Sequence, residues 1–85
     1  MNRAEFVQRA AIAYWIDHKR EERDERSPWE RATHLADAMP PDLAGDERQR
    51  VLDEVWQRLA VEPGDSHIRA MQIVKAMMGG RDGRA

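Results

Sequence analysis

Three histidines, His18, His34 and His67, are the residues in this chain best suited to metal or proton chemistry. Glu30 precedes His34 by one helical turn and Asp37 follows it by three residues, which would set a carboxylate, an imidazole and a second carboxylate on one helical face. Glu21 or Glu22 could complete a set with His18. The spacing is nonetheless of a kind that arises readily in a chain with 35% charged residues, and the HExxH order that pairs two zinc ligands with a general base is missing. No metal or other cofactor is expected. Asp17–His18 and Ser66–His67 put acid–base or nucleophile–base residue types side by side. Neighbours on a helix point about 100° apart, however, so neither pair can act as a catalytic couple.

Other chemistries fail earlier. There is no Cys, which removes disulfides, thiolate nucleophiles and Cys-based zinc or iron–sulfur sites. Gly79, Gly80 and Gly83 follow an apolar helical run instead of preceding one, so no phosphate cradle is built. A chain of 85 residues also leaves roughly 35–40% of its unfolded surface exposed, too little interior for a deep cleft in one copy. The expectation is a protein that is not an enzyme.

The spacing of apolar residues predicts an all-α fold, a compact bundle of about four helices over 3–24, 28–39, 47–60 and 67–78. No stretch alternates with the period of a strand. Residues 1–80 would form a single domain, with 81–85 a frayed tail. Ser27-Pro28-Trp29-Glu30 is the clearest local signal, with an N-cap hydroxyl, a proline at N1 and a glutamate at N3. From it Trp29, Ala32, Leu35, Ala36 and Met39 would line one inward face until Pro40-Pro41 ends the helix. Asp46 is expected to cap the third helix, whose stripe is Val51, Leu52, Val55, Trp56 and Leu59. After the Glu62-Pro63-Gly64-Asp65 turn, Asp65 or Ser66 would cap a fourth helix carrying Ile68, Met71, Val74, Met77 and Met78, closed by Gly79-Gly80. The methionines and tryptophans are expected in the core, Trp15 excepted.

The first helix is apolar on two sides. Phe6, Ala10, Ala13 and Tyr14 share one face, whereas Ile12, Trp15 and Ile16 fall roughly opposite. Either the second and third helices straddle it, or the second stripe is buried by a partner.

Charge is uneven although its sum is only −2. Residues 28–65 hold four basic and nine acidic side chains, while 66–85 hold four basic and one acidic. Arg69 and Lys75, with Arg81 and Arg84 beyond, could touch phosphate, but cations at a helix C-terminus also oppose its dipole. Nucleic acid is therefore an unfavoured partner.

With 12 Arg, 2 Lys and 12 Ala the composition points to a GC-rich bacterial or phage genome. No apolar run reaches the ~18–20 residues of a membrane span, and the N-terminus lacks a signal-peptide core, so no membrane and a cytoplasmic location are expected. No family resemblance carries a functional residue over. The sequence thus predicts a protein-binding regulatory protein, homodimeric through Ile12, Trp15 and Ile16. A phage- or plasmid-borne inhibitor that occludes a host complex with Asp42, Asp46, Glu47 and Asp53 is the alternative, and a small nucleic-acid-binding regulator a further one.

Overall fold

The structure, a computed structural model, describes residues 1–20, 25–61 and 65–81, the side chains of Arg20 and Arg81 excepted. Helix α1 spans Arg3–Arg20, α2 Pro28–Asp37, α3 Gly45–Val61 and α4 Ser66–Arg81. The all-α bundle of four helices is as the apolar spacing requires. Residues 21–24 of the expected first helix, the Glu62-Pro63-Gly64 turn and residues 82–85 of the expected tail lie outside the described residues.

The helix starts show why the elements form where they do. At α2, Ser27 is extended (φ −68°, ψ 157°) and its Oγ accepts from the Glu30 amide at 3.1 Å, with Pro28 in the first turn. At α1 the reciprocal arrangement is complete: the Glu5 amide donates to Asn2 Oδ1 at 2.8 Å, and the Asn2 amide donates to Glu5 Oε1 at 3.1 Å. That Asn-x-x-Glu box, which the sequence reading did not single out, satisfies two of the orphan amide donors of a helix start. At α4 the cap is Asp65, whose Oδ1 accepts from the Ile68 amide at 3.0 Å, leaving Ser66 free to turn inward.

Three boundaries depart from expectation. Helix α2 ends at Asp37, two residues early, because Met39 precedes a proline and is disfavoured in a helix; Ala38 and Met39 instead tighten the turn by donating to Leu35 and Ala36 carbonyls at 3.2 and 3.1 Å. Helix α3 starts at Gly45, and the Ala44 carbonyl takes the first helical bond from Arg48 at 3.0 Å. Asp46 is therefore inside the first turn, its carboxylate accepting from the Glu47 amide, and not the cap. Gly45 is required there by the chain passing over it, since a Cβ would stand 2.4 Å from the Met1 nitrogen. Finally, α4 does not stop at Gly79-Gly80 but continues to Arg81.

The last correction carries a prediction. A Cβ on Gly79 would meet nothing within 4 Å, and the residue is helical. Gly79→Ala is expected to stabilise the protein by about 0.5 kcal/mol in denaturant titration, through lower unfolded-state entropy. A glycine in a left-handed cap would respond with the opposite sign.

One core holds the four helices together. Phe6, Ala10 and Tyr14 of α1 meet Leu35 of α2, Val51 and Val55 of α3 and Val74 of α4, each fully buried. Helix α1 packs most extensively on α2 and then on α3, while α4 lies on α3 and touches α2. Met71, Met77 and Met78 pack against this core as half-buried side chains.

Three expected core residues are elsewhere. Trp56 sits at the rim, half-buried, because the phase of α3 is set by Val51, Leu52, Val55 and Leu59. Ile68 is 54% exposed, about 120° from Val74 around α4. Trp29 is 58% exposed, lying roughly 65° from the mean direction of Ala32, Leu35 and Ala36. In its place α2 buries Arg31 completely.

Candidate interaction surface and buried polar junction

With Phe6, Ala10, Ala13 and Tyr14 turned to the core, helix geometry forces Ile12, Trp15 and Ile16 outward, where they are 50%, 49% and 47% exposed. Helices α2 and α3 flank α1 without covering this stripe, so it is not enclosed within the bundle. Trp29 extends the apolar band. It lines, with Pro28, Ile12 and Trp15, an open groove between α1 and the start of α2. On the other side of α1, Ile16 faces Trp56 and Ala60 of α3 across a second, smaller depression. Trp29, exposed, and Trp56, half-buried, which sequence reasoning placed in the core, thus border the band at its α2 and α3 edges.

Trp15 has charged company on its own helix. Lys19 Nζ stands 5.1 Å from the centre of the indole, and the His18 ring stacks on it at 6.4 Å and 15°. A cation over an indole face is held by the ring quadrupole. The site therefore presents an aromatic surface with a basic margin.

The three histidines do not meet at one point, although His34 and His67 lie near each other. His18 lies on Trp15, His34 is exposed, and His67 is buried with its Nδ1 2.9 Å from the Tyr14 hydroxyl. Among the described residues no group of three His, Asp or Glu side chains is placed to hold a metal ion, and Glu21 and Glu22 lie outside them. Glu30 and Asp37, the other two candidate ligands, are exposed, and Asp37 pairs with Arg3.

His67 belongs instead to a buried polar junction that the sequence did not disclose. Ser66 Oγ donates to the Asp17 carboxylate, and both side chains are buried. Next to them Tyr14 receives the Arg31 guanidinium over its ring at 4.8 Å, and the His34 ring lies 6.1 Å from that of His67. These bonds tie the start of α4 to α1 across 49 and 53 residues of chain. Buried polar groups are costly unless satisfied, so the Ser66–Asp17 and Tyr14–His67 bonds favour one arrangement of α4 on α1.

A second arginine is hidden as well. Arg48, 2% exposed, donates through Nη2 to the Pro40 and Pro41 carbonyls at 3.4 and 3.1 Å and so clamps the α2–α3 loop. The burial of Arg31 and Arg48 changes the surface of residues 28–65. Of their four basic side chains only Arg50 and Arg58 are exposed, whereas none of the eight described acidic side chains is buried. Asp42, Asp46 and Asp53 are exposed, Glu47 half-buried, and Asp53 accepts from Gln49 at 2.9 Å. The four lie on the α2–α3 loop and along α3, not on the exposed face of α1. On α4 Arg69 and Lys75 are exposed; the Arg81 side chain and Arg84 lie outside the described residues.

Among the described residues no helix is long and apolar enough to cross a membrane. No protein-family model, curated protein or solved structure matches the chain, so the meaning of its surfaces rests on their own geometry.

Proposed function

We propose that this chain is a small non-enzymatic, regulatory protein that works by binding protein through the exposed band of α1, as a homodimer. The observation that carries this reading is the half-exposure of Ile12, Trp15 and Ile16 on one helix face, with Trp29 beside them. Together they bare on the order of 400–500 Å² of apolar surface, in the upper range of patches on monomers and of the kind that marks an interface. Aromatic anchors with a charged margin are also the composition of binding hot spots. Burial of that area in two copies, set against the cost of association, favours a dimer in the micromolar range.

The test is the mass of the protein in solution. At ~100 μM, sedimentation should report a dimer, and Trp15→Asp should report a folded monomer, because a carboxylate is not tolerated between apolar surfaces. A wild-type monomer at that concentration would remove the homodimer.

A second reading is favoured by the burial of Arg31 and Arg48, which strips two cations from an already acidic surface. In that reading the protein occludes a basic groove of a host complex, as a phage- or plasmid-borne inhibitor would. Binding should then weaken as salt rises, and reversal of Asp42, Asp46, Glu47 and Asp53 together should reduce affinity at least tenfold. Reversal of Arg69 and Lys75 should change it little. A nucleic-acid binder would invert that pattern, and a gel shift with unrelated DNA and RNA at ~100 mM salt separates the two.

A further inference from the structure

We infer that the occupant of the α1 band is α1 of a second copy, antiparallel to the first, on a two-fold axis at Ile12 that sets Glu5 of each copy against Lys19 of the other. This rests on the homodimer reading above and adds to it the pairing of α1 on α1 and its register. Along its exposed face α1 presents Glu5, Gln8, Ile12, Trp15 with Ile16, and Lys19, all of them solvent-exposed. Glu5 and Lys19 stand seven residues before and after Ile12. At 1.5 Å per residue they lie about 10.5 Å on either side of it, within roughly 20° of its direction around the helix.

That placement is self-complementary in one orientation only. An isologous contact repeats every interaction twice, so an antiparallel pair centred on Ile12 makes two Glu5–Lys19 pairs and closes Ile12 on the partner's Ile12. Trp15 then covers the partner's Gln8, and Ile16 lies along the stem of the partner's Arg9, which can bury its methylenes and keep its charge in water. A parallel pair would oppose Glu5 to Glu5 and Lys19 to Lys19. An antiparallel pair slipped to an axis at Tyr14 would bring Lys19 against the partner's Arg9. Both are penalised by like charges at the edge of an apolar contact. The ends are free for the pairing: Glu5 spends one oxygen on the Asn2 amide, and Lys19 rests over Trp15, where the partner's Glu5 would arrive.

Two measurements on the full chain decide it. Ile12→Cys should form a disulfide-linked dimer on mild oxidation, since the axis brings this position to itself. Lys19→Glu alone and Glu5→Lys alone should each weaken the dimer about five- to tenfold at low salt, and the double exchange should return it to within about threefold of wild type. Because Glu5 also caps its helix, circular dichroism accompanies the Glu5 variants, and Lys19→Glu, which leaves the cap intact, carries the single-reversal result. A dimer in which Ile12→Cys does not cross-link, or in which Lys19→Glu has no effect, or in which the double exchange stays weak, overturns the register and leaves the binding reading standing. A wild-type monomer overturns the homodimer and the register together.

Discussion

Arg31→Ala is expected to cost about 3–5 kcal/mol, enough to unfold most of a domain whose whole stability is of the order of 5 kcal/mol. Arg31 is among the largest fully buried side chains of the described residues, and its guanidinium lies 4.8 Å over the Tyr14 ring between α1 and α2. Truncation empties that volume, which a small core cannot refill, and removes a desolvated cation–π contact worth up to ~2 kcal/mol. Arg31→Met, which keeps most of the volume, should lose less than Arg31→Ala. Chemical denaturation followed by helical circular dichroism checks both. An Arg31→Ala protein as stable as wild type would mean that this side chain is in solvent, and with it the packing of α1 on α2 would be wrong.

What was legible in the sequence is what depends on neighbours within one or two turns. The Ser27 cap, the Val51–Leu59 stripe of α3 and the two faces of α1 all follow from a helical period and local hydrogen-bonding chemistry, and the exposed band was found because Ile12, Trp15 and Ile16 oppose Phe6, Ala10 and Tyr14. Illegible were features whose partners lie far along the chain. Nothing near Arg31 announces that Tyr14 will take its charge, and nothing near Ser66 announces Asp17. Trp29 misled for a related reason. Large apolar residues are usually inside, but α2 reaches the core through Ala32, Leu35 and Ala36, so its phase leaves the first-turn tryptophan at the edge. Gly79-Gly80 misled because a glycine pair is permissive toward ending a helix and does not compel it.

Ser66→Ala combined with Tyr14→Phe is expected to loosen α4 from the bundle while leaving α1, α2 and α3 packed. Ser66 to Asp17 and Tyr14 to His67 fasten the start of α4 to α1, whereas the rest of α4 lies mainly on α3. Ser66→Ala removes a donor from a buried carboxylate and should cost about 1.5–3 kcal/mol; Tyr14→Phe removes a neutral bond and should cost about 1–2 kcal/mol. Both act on one small junction, so their sum need not be additive, and the double-mutant cycle should return a coupling of at least ~0.5 kcal/mol. Hydrogen exchange gives the spatial answer: protection should fall first and most in the amides of residues 69–78, with residues 6–17 and 51–59 falling less. Uniform loss across all four helices would instead show that α4 unfolds only with the whole molecule. Unchanged protection in α4 would show that its hold comes from the apolar contacts of Ala70 and Val74, and that the polar junction serves to fix the register of α4 on α1 without contributing to its attachment.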